Sequence, residues 1–231
     1  MIYRLPADSL PEEAKVKYKL IIFDIDGTIA RHISSWRYIH EELGLWDALA
    51  FKYQSQFLAG RISYRKFCQL DAAHWKGLEE RRIINLFKKA PYARNAVRYI
   101  KQLKKLGFKL AAVSTGLQYM AERIKEELDF DYVIYNKLLS RKGLLTGGVK
   151  INITHGAKGK VFKRIVKRFR LKPHTVISVG DSEGDVPLVR SAGYSIAFNS
   201  SSRKLSRLVD YECRTKDFRE VFKEILRVNS A

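Results

Sequence analysis

The sequence predicts an α/β fold: a doubly wound, Rossmann-like parallel sheet with a small helical unit inserted after its first strand. Three observations carry this expectation. Short apolar runs alternate with amphipathic stretches along most of the chain, the pattern of a parallel sheet covered on both faces. Several of those runs stop abruptly at Asp, Ser or Gly. All three tryptophans (Trp36, Trp46, Trp75) fall between 30 and 90, a helical region whose aromatics imply a packing unit of its own. The expected division is a core of 1–29 and 91–231, with 30–90 as the inserted helical domain.

Residues 1–17 read as a polar lead-in broken by Pro6 and Pro11. Its acidic residues Asp8, Glu12 and Glu13 do not suit a signal peptide. Tyr18 to Asp24 is the first strand, apolar and β-branched. Ser34-Ser35 caps a helix carrying Trp36, Ile39 and Leu43, with Gly44 as its stop. A second helix opens at Ser63 and repeats Tyr64, Phe67 and Leu70. Pro91 is expected to open a helix with Val97, Ile100, Leu103 and Leu106 on one face, ended by Gly107. Strand 108–113, a helix from Leu117 to about Leu128, and strand 132–135 follow. From Leu138 to Ile153 an antiparallel excursion turns at Lys142-Gly143 and Gly147-Gly148. The helix from Gly159 to Arg170 has Phe162, Ile165, Val166 and Phe169 on one face, and Pro173 stops it. Strand 175–179, a helix near Pro187, strand 194–198 and a tail helix from Asp217 to Val228 complete the reading.

With 231 residues, 46% of them hydrophobic, the chain can bury a real core. No apolar run approaches the ~20 residues needed to span a membrane. Cys68 and Cys213 fit no metal or redox spacing and read as reduced thiols of a cytoplasmic protein. The charge is lopsided: 44 basic residues against 24 acidic ones, formally +20. Such a surface gathers anionic ligands and admits nucleic acid as a salt-sensitive partner; it also reads as a solvated basic coat. There is no zinc-finger or RNA-recognition signature. A monomer or homodimer is expected.

The chemistry concentrates at strand ends. In Leu20-Ile21-Ile22-Phe23-Asp24-Ile25-Asp26-Gly27-Thr28, an apolar run stops at two aspartates separated by Ile25. Strand side chains alternate faces, so Asp24 and Asp26 point the same way. They sit at the carboxyl end of the strand, where ligands of open parallel sheets bind. Two carboxylates there suit a Mg²⁺ ligand, an acyl-phosphate nucleophile or a proton donor, or simply the capping aspartates of a turn. Further along, Phe108 to Val113 ends in Ser114-Thr115-Gly116. Thr175 to Val179 ends in Gly180-Asp181-Ser182-Glu183-Gly184-Asp185, and Ala157-Lys158-Gly159-Lys160 lies between.

These four pieces, in this order, resemble the signature of the haloacid dehalogenase superfamily of phosphohydrolases, and most closely its phosphoserine phosphatase-like branch, from about Tyr18 to the C-terminus. The resemblance implies that Asp24 is a nucleophile forming an aspartyl-phosphate. Asp26 would be the general acid and then the base, with its backbone carbonyl on Mg²⁺. Gly27 and Thr28 would belong to the phosphate-binding loop. Ser114 would bind phosphate with the N–H groups of Thr115 and Gly116. Lys158 would neutralise the phosphate and steady Asp24. Asp181 would join Asp24 and Asp26 as a direct Mg²⁺ ligand, and Asp185 would complete the metal set from close behind, orienting water or Lys158. Ser114 and Asp185 also read as helix caps, and Lys158 as a surface lysine.

The same resemblance makes 30–90 a cap over the active site. Amino-acid phosphatases of the branch carry a glutamate early in the cap that binds the substrate ammonium. Here the stretch is Arg31-His32-Ile33-Ser34-Ser35, with no acidic residue between Asp26 and Glu41, which counts against phosphoserine as the substrate. Arg31 and His32 would favour a second anionic or hydroxyl-bearing group. Arg61 and Arg65 are candidates for a substrate carboxylate or second phosphate, or are solvated helix charges. The five histidines show no metal pattern, and His32 and His155 read as structural. The expected function is Mg²⁺-dependent hydrolysis of a small phosphorylated metabolite. The alternatives are a phosphatase of nucleotides or nucleic-acid ends, and a non-catalytic phosphate-ligand binding protein.

Overall fold

The computed structural model describes residues 17–230; the lead-in reading of 1–17 lies outside them, Lys17 excepted. The first strand, β1 (Leu20–Phe23), is wholly buried. Four helices follow it: α1 (Ser35–Glu42), α2 (Ala48–Leu58), α3 (Tyr64–His74) and α4 (Glu80–Lys89). The chain then runs through α5 (Ala96–Lys105), β2 (Lys109–Leu117), α6 (Gln118–Glu127), β3 (Tyr132–Arg141), β4 (Leu144–Lys150) and α7 (Lys158–Arg168). It closes with β5 (Val176–Gly180), α8 (Val186–Val189), β6 (Tyr194–Ala197), α9 (Arg203–Ser206), β7 (Tyr211–Glu212) and α10 (Phe218–Ser230).

The seven strands lie in the order β4-β3-β2-β1-β5-β6-β7. All pairings are parallel except β3 with β4. The two-residue period of β1 explains the double cover. Ile21 and Phe23 join one apolar cluster with Ile100, Ile124 and Phe218, whereas Leu20 and Ile22 join another with Phe162 and Ile165 of α7. From β1 the chain builds outward to β4 on one side, then returns to place β5 on the other. The carboxyl end of β1, flanked by β2 and β5, is therefore a topological switch point, where the crevice of such sheets opens.

The inserted helices form where short polar side chains satisfy their first N–H groups. Ser34 Oγ accepts from Arg37 N at 3.4 Å, Asp47 Oδ1 from Leu49 and Ala50 N at 2.9 Å, and Ser63 Oγ from Lys66 N at 3.2 Å. The aromatics pack on one another: Trp36 stacks on Trp75 at 5.8 Å and Phe57 on Phe67 at 5.2 Å. They are not a separate packing unit, however. One continuous apolar cluster runs from Trp75 and Phe67 through Trp36 and Phe87 to Phe23, because α3 rests on β4 and α4 on α6.

Four other sequence expectations need correction. Pro91 opens no helix: α5 starts at Ala96, after Asn95 at φ 62°, because the segment before it bridges Tyr92 to Ala30 and Arg94 to Asp217. Leu106 lies past the end of α5 and is 57% exposed, not on its buried face. The strand after Asp131 is longer than 132–135, running to Arg141 as β3. Finally, Gly147-Gly148 is no turn but the middle of β4. Gly147 has φ +79°, and a Cβ there would stand 3.1 Å from Lys76 Cβ and 3.5 Å from Ala73 Cα, so the glycine lets the end of α3 lie against the strand. Among the described residues no helix is long and apolar enough to cross a membrane.

Candidate active site

Asp24 follows the last residue of β1 and is 4% exposed. Its backbone N–H donates to Val179 O at 2.9 Å, which fixes it between the ends of β1 and β5. Lys158, the first residue of α7, donates from Nζ to Asp24 Oδ1 and, at 2.5 Å, to Asp185 Oδ1. All three side chains are almost fully buried. Burial alone would lower the lysine, but the two carboxylates outweigh it and hold Lys158 charged, above its ordinary value. Asp24 moves up as well: burial first, then Asp185, Asp181 and Asp26, outweigh its one ammonium partner.

Asp181 follows β5. Thr28 Oγ1 donates to its Oδ1 at 3.2 Å. Gly27, at φ +86°, leaves room for its carboxylate, since a Cβ there would lie 2.3 Å from Asp181 Oδ2. One oxygen each of Asp24, Asp181 and Asp185 falls within 4.8 Å of the others. Burial and the neighbouring Asp185 charge push Asp181 up to about 7. Three clustered carboxylates, Asp24 and Asp185 buried and Asp181 partly so, stand against one ammonium, and all-oxygen donors are the chemistry that hard divalent cations prefer. Asp185 has both oxygens engaged. Oδ1 meets Lys158, while Oδ2 accepts from Asp181 N at 3.1 Å and from Ser182 N and Oγ at 3.0 and 3.1 Å. It therefore acts both as the cap of the loop before α8 and as a partner of Lys158.

Asp26 is held differently. Its Oδ2 accepts from Ser35 N at 2.8 Å and its Oδ1 lies 3.1 Å from His32 Nε2. Burial pushes it up, but these bonds outweigh burial and hold it below the usual carboxylate value. The His32 ring is fixed by stacking on Tyr38 at 4.8 Å, edge-on to Phe87 at 5.6 Å. A structural reading of His32 thus omits its contact with Asp26. Nothing in the local sequence signals that contact, because a loop of six residues folds back to make it.

Ser114, inside β2, is 2% exposed, and its Oγ accepts from Gly116 N at 2.8 Å. That N–H is engaged and does not point to an incoming phosphate; it leaves the Ser114 hydroxyl hydrogen available to donate. Gly116 is needed for space, since a Cβ would fall 2.4 Å from Asp26 Oδ2 and 2.3 Å from Ser35 Oγ. Thr115 offers its carbonyl to the inserted helices: it accepts from Trp36 Nε1 at 3.3 Å, from Tyr64 Oη, and from Asn136 Nδ2 at 2.9 Å. Asn136, fully buried, also donates to Ile153 O at 3.0 Å and accepts from Asn152 and Ile153 N.

Asp24, Asp26, Ser114, Thr115, Gly116 and Lys158 line one cavity of about 160 Å³. Asp181 adjoins it through the carboxylate cluster, and His155 also faces it. Burial and the Lys158 charge lower His155, which favours its neutral form. Arg31, Arg61 and Arg65 are exposed. Arg31 faces a neighbouring depression with Tyr92 and Asn199, and Arg65 faces a groove with Lys160 and Arg164. The structure does not bring either into the cavity, because successive positions around a helix or loop diverge in direction.

The haloacid dehalogenase-like hydrolase family model matches residues 21–190. A phosphoserine phosphatase of Archaeoglobus fulgidus is 30% identical over 185 residues, 79% of this chain and 53% of that protein. One from Methanocaldococcus jannaschii is 29% identical over 210 residues, 90% of this chain and 98% of that protein. The chain thus spans about half of the first relative and nearly all of the second. A solved structure described as a phospho-aspartyl intermediate analogue of phosphoserine phosphatase superposes with a TM-score of 0.77 at 28% identity, covering 90% of this chain and 98% of that one.

Proposed function

This chain belongs to the haloacid dehalogenase-like hydrolases, and on that premise we propose that it hydrolyses a small phosphomonoester through a phosphorylated Asp24, with Mg²⁺ as cofactor. It is a phosphatase of the phosphoserine phosphatase-like kind. The observation that carries the reading is the buried Asp24–Lys158–Asp185 group beside Asp181 at the sheet's switch point.

In the proposed reaction an Asp24 carboxylate oxygen attacks phosphorus as the bond to the leaving oxygen breaks. Asp26 gives that oxygen a proton. Asp26 then takes a proton from water, whose oxygen attacks phosphorus, breaks the bond to Asp24 and frees inorganic phosphate. Proton transfer of this kind is worth about 10²–10⁴-fold. His32 keeps Asp26 ionised in the free protein. A phosphate dianion seated against Asp26 favours its protonated form, so Asp26 takes up a proton from solvent as the substrate binds. Lys158 offsets charge on Asp24 and on the phosphate, and the Ser114 hydroxyl donates to a phosphate oxygen. Asp24, Asp181 and the Asp26 carbonyl would hold Mg²⁺, which when bound screens nucleophile and phosphate from each other. Asp185 sets Lys158 and the Asp181 loop behind them. The buried, unpaired thiols of Cys68 and Cys213 support a reducing, cytoplasmic setting.

The test is release of inorganic phosphate from a panel of phosphomonoesters with and without Mg²⁺. Mg²⁺-dependent turnover is expected; no release from any compound by folded, Mg²⁺-loaded protein would overturn the reading.

The raised carboxylates also make stability depend on pH. In the metal-free protein Asp24 and Asp181 hold protons above the range where the unfolded chain loses them. Their contribution is present below about pH 4 and is lost as pH rises through about 7, the Asp181 value. Mg²⁺ binds the ionised carboxylates and reverses that loss. Saturating Mg²⁺ is therefore expected to raise Tm more at pH 8 than at pH 5 in scanning calorimetry. An equal rise at both pH values would contradict this.

A further inference from the structure

Beyond its phosphate-binding floor the cavity is walled by the inserted helices, and that wall has a distinct chemistry. Ile33, Trp36, Phe57, Leu58, Tyr64 and Phe67 supply most of it. Among the described residues, no charged side chain of α1–α4 or their loops lines it. The polar atoms of the two amphipathic aromatics are already engaged: Trp36 Nε1 and Tyr64 Oη both donate to Thr115 O, so these residues offer the cavity ring surface rather than donors. Ser34 Oγ caps α1. Phe57 is locked by its stack on Phe67. The polar side chains that face a leaving group are uncharged: Gln54, the hydroxyls of Ser34, Thr115 and Ser182, and the His155 imidazole, which burial and Lys158 disfavour from charging. At the mouth, Ile33 and Leu58 are 67% and 73% exposed, large apolar side chains open to water where a substrate would enter.

Deepening the phosphatase reading, on which it rests, we infer that the natural substrate is the phosphomonoester of an uncharged, largely apolar alcohol, with an aromatic or branched aliphatic body. The argument is one of desolvation. An ammonium or carboxylate on the leaving group would enter this wall with no counter-charge, which is strongly unfavourable, whereas an apolar body gains by covering the rings and the two rim residues. Size sets an upper bound: the cavity of about 160 Å³ also includes the phosphate-binding floor, so it does not enclose a nucleoside, and a larger apolar body would extend to the rim at Ile33 and Leu58. Arg31 and Arg65 lie outside it, so neither supplies the missing charge.

The test compares 2-phenylethyl phosphate and isobutyl phosphate with O-phosphoserine and O-phosphoethanolamine, all alkyl esters whose differing leaving-group bodies are the variable of interest. Wild-type kcat/KM for 2-phenylethyl phosphate is expected to exceed that for phosphoserine by about 100-fold or more. Ile33→Glu, at an exposed position that accepts a charge without unfolding, is expected to raise kcat/KM for phosphoethanolamine and lower it for 2-phenylethyl phosphate, each about tenfold. Calorimetric binding to Asp24→Asn protein with Mg²⁺ separates this inference from the reaction itself. If no compound is hydrolysed but 2-phenylethyl phosphate binds at least tenfold tighter than phosphoserine, the catalytic reading fails and the inference stands. Phosphoserine turned over, or bound, as well as 2-phenylethyl phosphate would overturn it.

Discussion

Replacing Asp24 with Asn is expected to lower kcat/KM by about 10⁴-fold or more, the scale seen when a covalent nucleophile is removed, with Tm unchanged or raised. The amide keeps the shape of the carboxylate but cannot form the acyl-phosphate. It also removes a carboxylate that burial first, and then the neighbouring Asp185, Asp181 and Asp26 charges, push up. Lys158 keeps Asp185 at 2.5 Å, so the ammonium is not orphaned. Phosphate-release kinetics beside a thermal melt separates loss of chemistry from loss of fold. Retention of activity within tenfold, by a variant that melts like wild type, would remove Asp24 from the nucleophile's role.

Lys158→Met should do the reverse, costing stability as well as activity. Lys158 is 3% exposed and holds two carboxylates that are 4% and 0% exposed. Methionine fills much of its volume but leaves Asp24 and Asp185 without a cation. Removing one partner of a buried ion pair costs about 3–5 kcal/mol. At roughly 2–4 °C per kcal/mol for a chain of this size, Tm should fall by about 6–20 °C. The deficit should shrink as pH is lowered toward 4, where the orphaned carboxylates take up protons. A melt of Lys158→Met within about 2 °C of wild type at pH 8, without metal, would show that the ion pair contributes little.

Much of this site is legible in the sequence because strand-end chemistry needs recognisable residues. A β-branched run must stop for Asp24 to be presented, and Gly27 must follow because a side chain there would collide with Asp181. The amphipathic face of α7 likewise announces the helix that carries Lys158. The cap is less legible. α2 has apolar residues around much of its circumference, Leu49, Phe51 and Leu58 being exposed, so its pattern gives no inward direction. Charges such as Arg31 and Arg65 carry no direction either. The pairing of His32 with Asp26 depends on how one loop closes, and the role of Thr115 O as the anchor of Trp36 and Tyr64 depends on distant segments meeting. Gly147-Gly148 carries the sequence signature of a turn, yet serves the approach of α3 to β4.

The central claim is a phosphorylated Asp24, and acid quench tests it most directly. Wild-type protein is mixed with Mg²⁺ and a ³²P-labelled phosphomonoester that it hydrolyses, then quenched within one turnover and digested. The expected result is hydroxylamine-sensitive label on the peptide containing Asp24, absent from Asp24→Asn protein. Phosphate released at the same rate with no protein-bound label, or with label on another peptide, would contradict the account.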